Sequence, residues 1–298
     1  MEYRYFICDV FTNQQFSGNP LAVVPDATGL LDSQMQQIAR EFNFSETTFV
    51  FPAELGQTRK VRIFTPITEL PFAGHPNIGT AYVLAQDGAF GDINEKTKII
   101  FEERAGFVPI TISRGKCSNI CCELTAPELL FLGKTVSAKT MADILNLDTS
   151  NINVQNHLPQ EASVGLGFTI VELASHEVLK EVSVEAGQAL KLQEHGLPAD
   201  ILLYIQSHDD FDIRARMFAP LDGVREDPAT GSANCALVAL LSHYKTEKDG
   251  NFSWRISQGV EMGRPSVLLG RTKKSNGIVS GVWMAGDSVL FSEGTLKL

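Results

Sequence analysis

The chain has 298 residues, 44% of them hydrophobic, and its 35 Asp and Glu residues outweigh 25 Lys and Arg residues to give a formal net charge of -10. That length suits about two domains, and the acidic balance argues against a surface that neutralises nucleic-acid phosphates. The 5 Cys residues are too unevenly placed for a disulfide framework, the first residues do not resemble a signal peptide, and no segment reaches the roughly twenty apolar residues of a membrane span. We therefore expect a cytoplasmic protein without nucleic-acid or membrane partners.

The first half of the chain predicts a sheet with two helices. Residues 33–42 have the pattern of a short helix, and the apolar run at 78–85 indicates a helix that is buried all round. Alternation of apolar and polar residues between turn residues predicts the strands. They lie at residues 3–10, 21–24, 47–51, 61–64, 98–102 and 107–113.

The second half repeats this pattern. Helices are predicted at residues 134–147 and 183–192, and the apolar segment 233–241 indicates another buried helix. The strands are predicted at residues 168–173, 201–206, 212–218, 253–256, 266–269 and 278–285. We place the first domain at residues 1–118, to which a C-terminal strand at about 287–298 could return, and the second domain at 119–286.

One motif occurs twice. Arg62-Ile63-Phe64-Thr65-Pro66 is echoed by Arg216-Met217-Phe218-Ala219-Pro220, and each copy leads into a turn that opens a helix of small apolar residues. With one two-residue gap, the alignment pairs Pro76 with Pro228, Gly79 with Gly231, Thr80 with Ser232, Ala81 with Ala233 and His75 with Asp227. It predicts that the second helix begins at Pro228, with Asp227 as its N-cap. Two similar halves imply a pseudo-two-fold molecule with a ligand cleft between them.

The two helix starts predict an anion site. The N-terminus of a helix carries a partial positive charge and N–H groups without intrahelical partners. Gly74, Gly79 and Gly231 would leave this backbone accessible to a ligand. The expected ligand is therefore a small carboxylate or another anion, held between two helix starts that face each other.

Glu46 interrupts a face that is otherwise apolar or weakly polar. Period-two alternation puts Phe42, Phe44, Glu46, Thr48 and Val50 on one side of a strand. A carboxylate buried there would suit general acid or base catalysis near neutral pH. The alternative is that Glu46 caps a turn where the strand begins.

His75 and Asp227 each allow a structural interpretation as well. His75 precedes Pro76 and could serve only the turn, while Asp227 is of the residue type that caps helices. Capping and ligand contact are compatible. Under the gapped alignment the two side chains put a titratable group at each helix start, which favours a role in the site.

Blocks of residues that occur in order along essentially the whole chain resemble one known family. The blocks are Asp9-Val10-Phe11-Thr12 with Phe16-Ser17-Gly18-Asn19-Pro20, Ser45-Glu46-Thr47, Phe72-Ala73-Gly74-His75-Pro76, Asp227-Pro228-Ala229-Thr230-Gly231-Ser232-Ala233 and Gln258-Gly259-Val260-Glu261-Met262-Gly263-Arg264-Pro265-Ser266. Together they resemble the PhzF family, the phenazine biosynthesis-like proteins.

The resemblance implies an α+β fold of two pseudo-symmetric, diaminopimelate-epimerase-like domains, each a mostly antiparallel sheet wrapped round a central helix. It also implies a homodimeric isomerase that moves a proton on a small cyclic carboxylated substrate, shifts a C=C bond and needs no metal or organic cofactor. In the namesake of the family the substrate is dihydro-hydroxyanthranilate.

The family motifs also imply roles for individual residues. Glu46 would remove and return the proton in the interdomain cleft, while His75 and Asp227 flank the reacting carbon framework. Helix N–H groups and a protonated His75 could stabilise the negative charge that develops. The residues that would position the substrate are Ser45, Gly74, Pro76, Asn77, Gly231 and Ser232.

Three alternatives stay open at this point. Epimerases and racemases of this fold use a cysteine at each helix start, whereas this chain has His75 and Asp227 there and Cys235 inside its helix. A metabolite-binding or interaction protein could use the same scaffold. A zinc site in the Cys-rich segment 117–122 has weak support, because the Cys spacing is irregular and no histidine lies nearby.

Overall fold

The computed structural model describes residues 1–93, 96–114 and 119–298. These residues divide into two compact units, one formed by residues 1–125 with 285–298 and the other by residues 126–284. The predicted domain boundary after residue 118 falls in a segment outside the described residues and stays a prediction. Strands outnumber helices in both units, and most neighbouring strands are antiparallel, which confirms the predicted α+β class.

The first unit combines two helices with a sheet. Within its described residues the helices are α1 (Asp32–Phe42) and α2 (Gly74–Gln86). The strands are β1 (Glu2–Val10), β2 (Asn19–Val24), β3 (Glu46–Phe51), β4 (Arg59–Phe64), β5 (Glu69–Leu70), β6 (Thr97–Glu103), β7 (Gly106–Arg114) and β8 (Ile120–Thr125). The sequence patterns predicted all of these elements except β5 and β8.

The sheet of the first unit closes on itself around α2. Its neighbours are antiparallel from β1 to β2, β3 to β4, β6 to β7 and β7 to β8, and parallel from β2 to β3 and β4 to β6. The last strand of the chain, β17 (Ile278–Lys297), pairs antiparallel with β1 and also pairs with β8. All of α2 from Gly74 to Ala85 is buried as a result. A helix that is apolar on every side requires such an enclosure.

Helix α1 ends inside the stretch that was predicted to alternate. Asn43 is its C-cap in the left-handed region, with φ 55°, so Phe42 belongs to the helix. Strand β3 starts only at Glu46. The predicted alternating face is therefore wrong in its first part, and its strand portion consists of Glu46, Thr48 and Val50.

Among the described residues, the second unit contains four α-helices, and the first residues of β17, up to Met284, belong to it. The helices are α3 (Ala138–Leu145), α4 (His176–Glu181), α5 (Ala186–Glu194) and α6 (Gly231–Tyr244). The remaining strands are β9 (Phe131–Thr135), β10 (Gln160–Ser163), β11 (Gly167–Glu172), β12 (Ile201–Gln206), β13 (Ile213–Ala219), β14 (Val224–Asp227), β15 (Gly250–Gln258) and β16 (Ser266–Ser275).

The sheet of the second unit runs from β9 through β10, β11, β12, β13 and β15 to β16, with parallel pairs at β11–β12 and β13–β15. The buried helix α6 packs against β10, β11 and β16. Helix α3 starts after its N-cap Ser137, whose Oγ accepts a hydrogen bond from the backbone N–H of Thr140. The predicted helix start at residue 134 is wrong, because residues 131–135 pair with β10 as a strand.

The repeated motif forms the same arrangement in each unit. The Arg62 guanidinium donates to both carboxylate oxygens of Glu69 at 2.8 Å. In the second unit Arg216 donates to both oxygens of Glu226 at 2.8 and 2.9 Å. Such two-pronged Arg–carboxylate pairs are among the strongest polar contacts in proteins. The motif is therefore a structural clamp that fixes the segment before each buried helix.

Strand register around the clamps corrects the gapped alignment. Ile63 lies opposite Leu70 on β5, and the equivalent Met217 lies opposite Asp227 on β14. The extra residues of the second copy form a short 3-10 turn before Glu226. From the clamp glutamates onward the two copies align without a gap. The identical positions up to the first turn of each helix are Glu69 with Glu226, Pro71 with Pro228, Gly74 with Gly231 and Asn77 with Asn234. His75 thus corresponds to Ser232, and the predicted match of His75 to Asp227 is wrong.

Candidate active site

The start of α2 is buried and lacks a side-chain cap. Gly74 is the first helical residue, and Ala73 before it is extended, with φ -153° and ψ 150°. Pro76 lies in the first turn, where its missing N–H removes no helical hydrogen bond. The Asn77 Nδ2 atom donates back to the carbonyl of Ala73 at 2.8 Å. The predicted substrate-positioning residues Gly74, Pro76 and Asn77 therefore share one helical turn.

Strand β3 brings Glu46 to this turn. Thr48, two residues along the strand, faces α2 and lies 2.7 Å from Thr80, hydroxyl to hydroxyl. Glu46 shares that strand face, and its Oε2 lies 3.4 Å from His75 Nε2. The exposed fraction of the side chain is 15% for Glu46 and 4% for His75, and Ser45 beside Glu46 is half-buried. The structure thus brings two of the predicted site residues, Glu46 and His75, side by side.

His75 is neutral in this setting. Burial lowers its pKa to about 3, because a charged imidazole loses hydration that the surroundings do not replace. The prediction of a protonated His75 is therefore wrong for this state. The Asn19 Nδ2 atom lies 3.3 Å from His75 Nδ1. An amide donating to Nδ1 leaves the proton on Nε2, the nitrogen that faces Glu46.

Asn19 is a site residue to which the sequence patterns assigned no role. It begins β2 directly after Gly18, whose φ of +67° suits glycine. A Cβ on Gly18 would lie 2.3 Å from the carbonyl oxygen of Val10. The turn is tied further by Asp9, whose Oδ2 accepts from the backbone N–H of Phe16 at 2.9 Å. This tight turn carries Asn19 to the imidazole.

Gly79 serves packing. A Cβ at this position would lie 2.5 Å from a Leu21 methyl carbon and 2.7 Å from a Val10 methyl carbon. The absence of a side chain lets α2 lie close to β1 and β2. The prediction that Gly79 keeps the backbone open to a ligand is therefore wrong.

The second unit presents Asp227 and the start of α6. Helix α6 begins at Gly231 after Thr230, so the predicted start at Pro228 and the N-cap role of Asp227 are both wrong. Asp227 ends β14 and is buried, and its Oδ2 accepts from the Thr230 hydroxyl at 2.5 Å. Ser232, in the first turn, is half-buried. Asp227 thus lies beside the start of α6 without capping it.

Gln258 fastens this helix start and was quoted only as part of a motif. Its Nε2 donates to the carbonyl of Asp227 at 2.7 Å and to the Thr230 hydroxyl at 3.1 Å. Its Oε1 accepts from the backbone N–H of Thr230 at 3.3 Å and from the Asn234 amide at 2.7 Å. Asn234 also donates to the carbonyl of Thr230, as Asn77 does to Ala73. The second helix start is thus held by a network of side-chain amides.

The cysteines are poorly placed for thiolate chemistry. Cys235 is buried in α6, and burial raises its pKa to about 12. Burial likewise raises the pKa of Cys121 to about 11. Cys117 of the suggested zinc segment lies outside the described residues. Among the residues that are described, no three His, Cys, Asp or Glu side chains cluster as a metal site would require.

Comparison with known proteins identifies the family. The family model described as phenazine biosynthesis-like protein matches residues 8–294. The chain belongs to this family. It is 34% identical over 299 residues to the trans-2,3-dihydro-3-hydroxyanthranilate isomerase of Pseudomonas aeruginosa, covering 99% of this chain and 100% of that protein. Two further Pseudomonas relatives carry the same name, and the chain is accordingly an isomerase.

Solved structures agree with the family and the fold. A phenazine biosynthesis protein of the PhzF family from Bacillus anthracis superposes with a TM-score of 0.89 at 25% identity, over 100% of both chains. A hydroxyproline epimerase from Agrobacterium vitis has a TM-score of 0.65 at 14% identity, over 99% of this chain and 91% of that one, which is a likeness of fold alone. No helix in the described part of this phenazine biosynthesis-like protein has both the length and the apolar character of a membrane crossing.

Proposed function

We propose that this isomerase moves a proton between two carbons of a small cyclic carboxylated substrate and that Glu46 is its acid and base. The observation that carries the proposal is the contact of Glu46 with His75 at the buried start of α2, 3.4 Å between Oε2 and Nε2. A carboxylate next to a neutral hydrogen-bond donor can take up a proton and give it back, because no cationic partner holds the carboxylate in its ionised form.

The proposed reaction has two proton transfers. The Glu46 carboxylate removes a proton from a saturated ring carbon next to a C=C bond, and the electron pair moves into the adjacent unsaturated system. The resulting carboxylic acid then returns the proton to a different carbon, so that the double bond has shifted. Atoms and charge balance without an oxidant or a co-reactant.

His75 has a positioning and stabilising task in this proposal. With Asn19 at Nδ1, the proton of His75 lies on Nε2, which is 3.4 Å from Glu46 Oε2 but not aligned for a hydrogen bond in this state. We assign this N–H the task of holding one carboxylate oxygen when substrate binds, while the other oxygen faces the substrate. A buried neutral donor of this kind also stabilises negative charge that develops nearby. It does so without a change in its own protonation, since its pKa of about 3 keeps it neutral over the working range.

The substrate carboxylate is assigned to the helix starts. Neither Ala73 nor Thr230 provides a side-chain cap for its helix, and the helix N-terminus attracts anions. The name of the Pseudomonas aeruginosa relative, trans-2,3-dihydro-3-hydroxyanthranilate isomerase, supports a cyclic carboxylated substrate. We assign Asp227, Gly231 and Ser232 the task of orienting the same substrate. A homodimer stays a prediction, which light scattering tests against the chain mass of 32.6 kDa.

The decisive experiment is incubation with trans-2,3-dihydro-3-hydroxyanthranilate in deuterated water, followed by NMR. The expected result is isomerisation with deuterium incorporated at the carbon that receives the proton. A panel of other cyclic and acyclic carboxylates identifies the substrate class if this compound is inert. Tight binding of carboxylates without exchange of any carbon-bound hydrogen would overturn the proposal in favour of a binding protein.

A further inference from the structure

Glu103 is a buried carboxyl group beside the start of α2 that the proposed mechanism does not use. It is the last residue of β6. Both of its carboxyl oxygens are buried, and neither meets the geometry of a hydrogen bond to the described residues, although the Asn77 amide is near enough to affect the carboxyl group. Burial raises its pKa to about 8, with the Asn77 side-chain amide opposing the rise. A buried carboxyl group without a hydrogen bond costs stability, so its presence requires an explanation.

The internal repeat shows what occupies this position in the other unit. With Arg62 aligned to Arg216, Arg59 on β4 corresponds to Ile213 on β13. Arg59 lies opposite Phe101 in the parallel pair β4–β6, and Ile213 lies opposite Ile256 in the parallel pair β13–β15. Two residues further along each partner strand come Glu103 and Gln258.

The hydrogen bonds of Gln258 have positional counterparts in the first unit. Gln258 donates to the carbonyl of Asp227, and it accepts from the N–H of Thr230 and from the amide of Asn234. In the ungapped alignment these three partners correspond to the carbonyl of Leu70, the N–H of Ala73 and the amide of Asn77. The first unit thus offers one acceptor and two donors in the same order.

A neutral carboxylic acid can replace an amide in this network, whereas a carboxylate cannot. The acid has one O–H donor and a carbonyl acceptor, as the glutamine side chain has an N–H donor and a carbonyl acceptor. An ionised carboxylate only accepts, so it would meet the carbonyl of Leu70 without a proton. Glu103 is suited to the network only while it carries its proton.

We infer that Glu103, as a neutral acid, is a positioning residue that closes these hydrogen bonds by a small movement of its side chain, fastens the start of α2 and thereby holds Gly74 and His75 in place. It acts through the helix start and is not a catalytic residue. The effect on turnover rests on the proposed function, whereas the effect on the folded structure does not.

The charged groups around Glu103 are directed elsewhere. Glu102, on the opposite strand face, accepts from the backbone N–H groups of a loop at 2.7 to 3.0 Å. Arg104 lies 3.4 Å from Glu69. On α2, His75 is neutral because burial lowers its pKa to about 3. The proton of Glu103 is therefore kept by burial and not by a nearby charge.

Three variants test the inference. Glu103→Gln supplies the amide seen in the second unit, Glu103→Ala removes the group, and Gln258→Glu places a carboxyl group in the second unit. The melting temperature of each variant and of the parent is measured from pH 5 to pH 9, together with kcat/KM on trans-2,3-dihydro-3-hydroxyanthranilate or, if that compound is inert, on the carboxylate that the exchange experiment finds active.

The direction of the pH effect follows from the raised pKa. A carboxyl that binds its proton more tightly in the folded state stabilises the fold at low pH, and this contribution is lost as the pH rises from about 4.3, the ordinary value, to about 8. The melting temperature of Glu103→Gln should therefore exceed that of the parent by a margin that grows up to pH 8 and is constant above it. The melting temperature of Gln258→Glu should instead fall below that of the parent, by a margin that grows as the pH rises.

The activity measurements separate positioning from simple stability. Glu103→Gln should retain kcat/KM within about threefold and lose any fall above pH 8, whereas Glu103→Ala should lose at least tenfold through kcat. Equal loss in the two variants, or an unchanged pH dependence of melting in Glu103→Gln, would overturn the inference. If the parent enzyme turns over none of the carboxylates, the proposed function fails, while the melting curves still decide the role of Glu103.

Discussion

The Oε2 atom of Glu46 lies 3.4 Å from the Nε2 atom of His75. Burial keeps this imidazole neutral. A charged partner at this distance would stabilise the ionised carboxylate and so resist its protonation. A neutral donor orients the group without that effect. The pair is therefore suited to a carboxyl that gains and loses a proton in each turnover.

Glu46→Gln should keep the fold and lose turnover. The amide has the size of the carboxyl but cannot accept a proton, and loss of a general acid or base typically lowers the rate by about 10² to 10⁴. Steady-state kinetics measure the loss, and circular dichroism checks the fold. The control is Glu41→Gln, an exposed glutamate in α1, which should retain full activity. Normal turnover by Glu46→Gln would remove Glu46 from the mechanism.

The stability of the protein should fall with acid partly because of His75. Its pKa is about 6.5 when unfolded and about 3 when folded, so the unfolded chain binds more protons between these values. The free energy of unfolding should drop by up to about 1.4 kcal/mol per pH unit as the pH falls below 6.5. Urea unfolding of the parent and of His75→Gln at pH 5 and pH 7 measures the difference.

In His75→Gln this acid-dependent loss of unfolding free energy should be absent. Glu103 makes the free energy of unfolding fall as the pH rises between about 4.3 and 8, which is the opposite direction. The comparison cancels this contribution because both proteins contain Glu103. NMR of the His75 ring nitrogens provides a second measurement. A titration of His75 near pH 6.5 in the folded protein would contradict the neutral assignment.

Gly79→Ala should destabilise the first unit. The added carbon would lie 2.5 Å from Leu21 and 2.7 Å from Val10, and overpacking of a core typically costs about 1 to 3 kcal/mol. Gly187→Ala is the matched control, because Gly187 is also helical and nothing lies within 4 Å of the added carbon. Because Gly187 is only the second residue of α5, the control should change stability by less than about 1 kcal/mol. Denaturant unfolding distinguishes the two, and equal effects would contradict the packing role of Gly79.

Arg216→Lys should be far more harmful than the same change at an exposed arginine. Besides its paired contact with Glu226, the Arg216 guanidinium donates to three backbone carbonyls before and after the end of α4, at 2.7 to 3.0 Å. Lysine cannot reproduce this fork, and breaking a buried ion pair costs about 3 to 5 kcal/mol. Arg225→Lys, in an exposed pair with Glu185, should change stability by less than about 1 kcal/mol. Thermal unfolding of both variants tests the contrast.

The sequence predicted most strands and both buried helices, because local alternation and an apolar helix carry strong signals. Glu46 and His75 were predicted as site residues through the family motifs, but their contact with each other was not. The sequence patterns failed on the alignment of the two copies. The extra residues of the second copy lie before Glu226. The residues near the helix gave no sign that the gap in the alignment belongs there. Pro228 looked like a first helical residue, yet its carbonyl accepts from Ser266 and the helix begins later.

The remaining errors concern contacts between distant parts of the chain. Asn19 reaches His75 across 56 residues of sequence, and the correspondence of Glu103 with Gln258 appears only in the strand register. The neutral state of His75 depends on how completely the sheet encloses α2. None of these features has a local pattern, so none could be derived from spacing alone.

The last strand has a consequence for how the chain is made. Glu2 pairs with Lys297, and the register continues along β1, so the first unit receives one of its strands from the final residues. During synthesis the first unit can therefore begin to fold early, but it is completed only after the residues of the second unit have been made. Removal of residues 285–298 should consequently destabilise the first unit, which contains Glu46 and His75, more than the second unit, which precedes the removed residues in the sequence.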